Sequence, residues 1–352
     1  MPPATPTSRC TGSPRAVGSV RAVSELRLNP LTGRWVTIAS TRQDRPGELV
    51  SRELPIEADP DQPCPFCPGN EEETPPSLEE YGSSGAWSVR VVPNKYPAFS
   101  GSEPMRVTNL GPVFTQANAS GIHEVLVLSP EHDQSWGDLD DKQAGLVMAA
   151  IRDRMEDHGR QAGTRYTQAI VNAGRAAGAS LEHPHGQLLG IPFVPGEIAE
   201  EQRGFDRFDG SCLLCTAVQA ELEAGHRVVH ADERVVVLCP FWSASPYQML
   251  VVPRTHAEHL TDATPKDLVA VGRAIRDSLM ALRAVMGHVS YNLVFHTAPH
   301  HHPGDFHWHV HVNPRITSVA GFEQGTGVMI NIMPPELACE HLRANAPLSA
   351  SA

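Results

Sequence analysis

No window of the 352-residue chain approaches the roughly 20 consecutive apolar residues that a membrane-spanning helix needs, which excludes a helical membrane protein. The first 24 residues are rich in Pro, Ser, Thr and Gly and lack the apolar core of a secretion signal. They read as a flexible tail, and a cytoplasmic location is expected. Basic residues are outnumbered 28 to 40 by acidic ones, and a net charge of −12 leaves no track for a nucleic acid. A small anion is still within reach of a few local arginines. Seven cysteines are too few for a disulfide scaffold in a chain this long. There is no G-x-S-x-G elbow, Walker loop or Rossmann fingerprint, so the common hydrolase, NTPase and dinucleotide-binding readings fall away.

What the chain does have is histidine, 18 in all, within a composition that is 41% hydrophobic and can build a sizeable core. Its length suits two domains, and the chain reads as though written twice. AIRDRM at 150–155 and AIRDSL at 274–279 stand 124 residues apart, each in a helical pattern closed by a glycine, Gly159 and Gly287. CPFC at 64–67 answers to CLLC at 212–215, HEVLVLSPEH at 123–132 to YQMLVVPRTH at 247–256, and HPH at 183–185 is matched to HVH at 309–311. The expected class is α+β, with two halves, each an antiparallel sheet backed by a long helix. The expected boundaries are a tail over 1–24, a first domain over 25–194, a linker over 195–210 holding a short helix, a second domain over 211–333, and a C-terminal helix and tail over 334–352.

Each C-x-x-C pair has the spacing of two thiolates on one tetrahedral ion. In the first half His132 and His183 are the candidate completing ligands for Cys64 and Cys67. The matching places in the second half give Cys212, Cys215, His256 and His309. Four protein ligands close a zinc shell and leave no position for activated water, so two structural zinc ions per chain are expected. If zinc holds His183, then His185, two residues on along an extended segment, is left free beside it. A neutral imidazole whose other nitrogen is engaged is a good nucleophile toward phosphorus. Gln187, Ser180 and Asn172 are placed to donate to a phosphate, and Arg42, Arg45 and Arg175 add cationic groups. The glycine-rich stretch GFEQGTGVMIN at 321–331 could wrap a sugar or phosphate or simply turn the chain.

RLNPLTGRWVTIASTRQDRP, CPFCPGNE, VVPNKYPA, SPEHD, NAGRAAGASLEHPHGQ, HWHVHVNPR and GFEQGTG together resemble the galactose-1-phosphate uridylyltransferases, a branch of the histidine-triad superfamily. The resemblance implies tandem histidine-triad-like domains and ping-pong transfer of UMP from UDP-glucose to galactose 1-phosphate through a uridylylated His185. It implies a zinc site of Cys64, Cys67, His132 and His183, and a nucleoside pocket at Phe66 and Asn94. Arg42 and Arg45 match arginines near the hexose phosphate. Thr326 and Gly327 stand where some members read hexose hydroxyls. Partners are then a nucleotide sugar, a hexose 1-phosphate and a second copy of the chain, with neither nucleic acid nor membrane. Some members build their second metal site from a glutamate and three histidines, which here gives Glu201, His296, His309 and His311. Another sub-branch carries two Cys-Cys-His-His zincs and is similar to ADP-glucose phosphorylases or adenylyltransferases using the same histidine. The two schemes compete for His309. A zinc-stiffened nucleotide-binding module without turnover is the reading from a different class.

Overall fold

The computed structural model describes residues 24–42, 63–83, 85–302 and 304–345. In chain order the strands and helices are β1 (Glu25–Leu28), β2 (Trp35–Ile38), β3 (Glu79–Ser83), β4 (Ala86–Pro93), β5 (Val107–Asn109), β6 (Thr115–Ala117), β7 (Ile122–Val127), α1 (Asp141–Gly159), β8 (Tyr166–Ala173) and β9 (His185–Ile191). There follow α2 (Gly196–Asp206), α3 (Leu213–Ala224), β10 (Val228–Ala231), β11 (Val235–Leu238), β12 (Met249–Pro253), α4 (Pro265–Met286), β13 (Tyr291–His296), β14 (His309–Pro314), α5 (Gly321–Thr326), β15 (Met329–Asn331) and α6 (Pro335–Asn345).

Ten strands form one antiparallel sheet in the order β10-β11-β12-β14-β13-β8-β9-β7-β4-β3. From the β8/β13 seam the order runs outward alike on both sides: β8-β9-β7-β4-β3 one way and β13-β14-β12-β11-β10 the other. Two sheets were expected from the sequence, and the structure joins them edge to edge, with Ala173 to Ala169 running against Tyr291 to Phe295. An unpaired edge leaves a row of backbone N–H and C=O groups open, and pairing β8 with β13 removes two such edges. Two smaller sheets stand apart, one of β1, β2 and β15 and one of β5 and β6.

One face of the large sheet is closed by α1 and α4. Asp140 and Thr264 start these helices by accepting from Gln143 N and Asp267 N, and Pro265 occupies the first turn of α4. Val147, Met148, Ile151 and Met155 of α1 recur at helical spacing, as do Leu268, Val271, Ile275, Leu279 and Leu282 of α4. Both sets pack with Val89, Val91, Leu126, Leu188 and Leu293 from the strands. The helices meet where Gly272 leaves no side chain: a Cβ there would come within 2.8 Å of the Ala144 carbonyl. Because successive strand residues alternate between faces, filling this side with Leu188 and Gly186 of β9 sends His185 and Gln187 to the other. That second face, which α3 covers over β11 and β12, carries the candidate site.

Candidate active site and metal clusters

The Cys64–Cys67 segment closes on itself, with Cys67 N donating to Cys64 O (3.3 Å) and the Asn70 side-chain amide to the same carbonyl (2.8 Å). His132 follows β7, and His183 precedes β9. The Nε2–H of His183 donates to Ser129 O at 2.8 Å, which leaves Nδ1 to face the thiols. Cys67 Sγ lies 3.4 Å from His132 Nδ1 and 3.6 Å from His183 Nδ1, and all four donor atoms fall within 4.8 Å of one another. Tetrahedral zinc with its usual bond lengths sets S and N donors roughly 3.5 Å apart, so these residues fit that ion. Burial and the neighbouring Cys64 push the Cys67 thiol up to about 11, a penalty that a bound divalent cation reverses.

Beyond this cluster, His185 Nδ1 lies 2.8 Å from His183 O. A carbonyl only accepts, so Nδ1 carries the proton and Nε2 keeps its lone pair. Burial holds the His185 pKa below its ordinary value, which keeps the ring neutral. The ring of Phe66 stands 5.3 Å from it, tilted. No described residue hydrogen-bonds His185 Nε2. One peptide carbonyl thus links the candidate ligand His183 to the imidazole of His185.

The amides predicted to meet a phosphate are each held from behind. Ala98 N–H donates to His123 Nδ1 (3.0 Å), so His123 Nε2–H donates to Gln187 Oε1 (2.8 Å). Among the described residues the NH2 of Gln187 has no partner and is free to donate. Asn94 packs against the same His123 nitrogen at 3.2 Å. His123, in β7, thus serves Gln187 and stands outside the metal cluster. Asn172 Oδ1 accepts from Asn292 Nδ2 at 2.7 Å. Ser180 and Arg175 are exposed on the loop after β8. That loop starts at Gly174, whose φ is +81° and where a Cβ would meet Ser290 Oγ at 2.2 Å, so only glycine fits. Thr326 bonds back to Phe322 O (2.7 Å), and Gly327 caps α5 with φ +71°. They sit at the end of α5, whereas Glu323, Asn172 and Asn292 line a cavity of about 740 Å3 on the same face as His185. The backbone of Arg42 ends a short 3-10 helix; Arg45 lies outside the described residues.

In the second half the structure differs from the expectation at one ligand. Cys212, Cys215 and His256 converge with His307, not His309. His307 Nδ1 is 3.3 Å from Cys215 Sγ and 3.7 Å from Cys212 Sγ, while His307 Nε2–H donates to Pro253 O at 2.9 Å. This repeats the bonding of His183 to Ser129 O. His309 Nδ1 in turn donates to His307 O at 2.8 Å, as His185 does to His183 O. HPH therefore corresponds to HWH at 307–309, at the same 124-residue offset that separates the two AIRD segments. The sequence held this signal; matching HPH to HVH slipped the register by two.

Released from the cysteines, His309 joins Glu201, His296 and His311 in a third cluster, so the two competing schemes coexist. His296 Nδ1 is 3.0 Å from both Glu201 oxygens, and His309 Nε2 is 3.1 Å from His311 Nε2. Both His296 and His309 are pushed down by burial, to about 4 and about 3, and burial raises Glu201 to about 7. Neutral imidazoles around a buried carboxylate make a donor set suited to a divalent transition ion. His296, His309 and His311 stand 124 residues after Asn172, His185 and Gln187 respectively. Metal-capable side chains thus occupy, in one half, the places of the candidate chemical groups in the other.

Comparisons with known proteins bear on this arrangement. The family model described as galactose-1-phosphate uridyl transferase, N-terminal domain, matches residues 17–195, and a domain of unknown function matches 129–346. The ADP-glucose phosphorylase of Arabidopsis thaliana is 30% identical over 328 residues, covering 89% of this chain and 90% of its own. A galactose-1-phosphate uridylyltransferase of Haemophilus influenzae is 28% identical over 335 residues, covering 90% and 93%. Among solved structures, the Arabidopsis ADP-glucose phosphorylase with bound ADP-glucose matches with a TM-score of 0.79 at 27% identity, covering 94% of this chain and 100% of that one. A uridylyltransferase structure matches at 0.71 and 26%, covering 92% and 98%.

Proposed function

This chain belongs to the galactose-1-phosphate uridylyltransferase family, and we propose that it moves a nucleoside monophosphate from a nucleoside diphosphate hexose to a phosphate acceptor through a covalent intermediate on His185. The observation that carries the proposal is the His185 ring, protonated at Nδ1 by its bond to His183 O and with Nε2 left a nucleophile. The Nε2 lone pair forms a bond to the α-phosphorus while the bond from that phosphorus to the bridging oxygen breaks. Hexose 1-phosphate leaves with the electron pair. The nucleotidyl-histidine is cationic, and the His183 carbonyl accepts a charge-assisted bond from its Nδ1–H. An oxygen of the acceptor phosphate then attacks the same phosphorus, and the P–N electron pair returns to Nε2.

Gln187, Asn172 and Ser180 donate to the phosphoryl oxygens as charge shifts among them. Phe66 and Asn94 line the nucleoside end and Arg175 meets the phosphates, with Thr326 and Gly327 beside the hexose; a phosphate role for Arg42 and Arg45 rests on the family resemblance alone. Zinc held by Cys64, Cys67, His132 and His183 is structural: it fixes the segment whose carbonyl aims His185. A second zinc on Cys212, Cys215, His256 and His307 and an ion in the Glu201 cluster hold the other half. A duplicated ancestor of two histidine-triad-like domains accounts for the 124-residue offset and the strand order about the seam. A cytoplasmic homodimer is part of the same reading.

The expected donor and acceptor are UDP-glucose and galactose 1-phosphate. A second reading, ADP-glucose cleaved by inorganic phosphate, is favoured by the second Cys-Cys-His-His cluster and by similarity to the Arabidopsis phosphorylase. Separate incubation with UDP-glucose and ADP-glucose, followed by intact-protein mass measurement, tells them apart. A gain of one UMP or one AMP names the donor, and discharge by galactose 1-phosphate or inorganic phosphate names the acceptor. No gain with either donor, or a gain that persists in His185→Gly, refutes the proposal.

A further inference from the structure

Asn292, in β13, pairs directly with Asn172 of β8 across the seam and is only 8% exposed. In the next pairing, β8 with β9, Ile170 faces Gln187 and Val171 faces Gly186, so one further step sets Asn172 beside His185. Three strands thus bring Asn292, Asn172 and His185 into one row. The Asn292 side-chain nitrogen donates twice, to the Ala177 carbonyl at 2.9 Å and to Asn172 Oδ1 at 2.7 Å. Ala177 O can only accept, which decides the end of the Asn292 amide that carries hydrogens. The second N–H of Asn292 must then meet Asn172 at its oxygen. As a result Asn172 turns its own NH2 away from Asn292, free to donate.

This arrangement has a cost. Asn292 Oδ1 is buried without a hydrogen-bond partner among the described residues. A stranded buried carbonyl is destabilising, and local rules are broken in this way most often where a side chain serves function. Ala177 belongs to the turn that follows Gly174, so the same amide also ties the loop before Ser180 to the seam.

We propose that Asn292 is a positioning residue for nucleotidyl transfer: it keeps the Asn172 amide turned so that N–H, not C=O, meets the transferring phosphoryl group. This rests on the function proposed above. A strand of the second half thereby sets the polarity of a donor in the first. Without Asn292 the Asn172 amide is no longer fixed, and in its reversed orientation it presents an oxygen to an anion.

The test uses Asn292→Leu, Asn292→Asp and Asn172→Ala, and each Asn292 change combined with Asn172→Ala. The readout is the rate at which His185 gains nucleotide under saturating UDP-glucose or ADP-glucose, by rapid quench and intact mass. Asn292→Leu should slow the saturated rate about tenfold, the worth of one hydrogen bond made in the transition state. The donor concentration giving half the maximal rate should stay within about twofold, since ground-state contacts remain. Asn292→Asp keeps the shape but offers only acceptors; it should slow the step at least as much, and it stands in if the leucine variant fails to fold. In the Asn172→Ala background neither change should slow the step further. An unchanged rate in the Asn292 variants, or slowing that multiplies in the double variants, overturns the assignment alone. If the unaltered protein takes up no nucleotide from either donor, the transfer reading falls and this assignment falls with it.

Discussion

Replacing His307 by alanine should release Cys212 and Cys215, and replacing His309 should not. His307 is 1% exposed, supplies Nδ1 to the cluster and bonds Pro253 O through Nε2. Stranding the Pro253 carbonyl costs about 1–3 kcal/mol. An ion held at about a thousand times its dissociation constant contributes about 4 kcal/mol that is lost with it. The sum, about 5–7 kcal/mol, is a large part of the 5–15 kcal/mol that holds a typical domain together. At the usual scaling for long domains this lowers the melting midpoint by on the order of 10 °C or more. His309→Ala removes one member of the Glu201 cluster and leaves the four Cys-Cys-His-His donors in place. The assay is maleimide labelling of the folded protein, read by mass alongside bound metal. His307→Ala should expose two more thiols and lose one ion, whereas His309→Ala should expose neither thiol of the pair. Two extra thiols in His309→Ala with none in His307→Ala would refute the ligand assignment.

Three further outcomes are expected. Burial lowers the His185 pKa, so its nucleophilic neutral form survives below the free-histidine value of about 6.5, and the rate of nucleotide attachment should stay level from pH 8 to below that point. Protonation removes the lone pair, so a loss of rate centred at or above pH 6.5 would contradict the depressed pKa. Cys64→Ser should reduce bound metal and slow attachment together, because His183 and its carbonyl lose their anchor; metal content per chain checks it. Gly204→Ala places a Cβ 1.9 Å from Leu31 O, forcing α2 to shift at a cost of at least about 1–3 kcal/mol. Since α2 carries Glu201, the third cluster should lose its affinity for divalent ions in calorimetric titration while Cys212 and Cys215 stay protected.

The sequence legibly marked Cys64, Cys67, His132 and His183 as one group, although they span 120 positions, because each sits in a short local signal: a C-x-x-C turn, a strand end and an H-x-H segment. The two long helices were equally readable from their spacing and terminal glycines. The misplaced His309 shows where such reading stops. HWHVH contains two overlapping H-x-H patterns, and a period of two fits either register, so only the 124-residue offset of the AIRD segments separates them in the sequence. The choice is made by the Pro253 carbonyl, which lies 54 residues earlier and reaches His307 only through folding.

What the chain determined by itself was therefore the kind of chemistry: thiols and imidazoles at metal spacing, and a histidine two residues beyond a candidate ligand. Tertiary structure decided that His307 and not His309 joins Cys212 and Cys215, set the Glu201 cluster beside that group and not in its place, and paired Asn292 with Asn172. The physical reason is reach. Strand alternation and helix spacing are properties of neighbours along the chain, whereas a hydrogen bond or a metal shell needs atoms a few ångströms apart, whatever their separation in sequence.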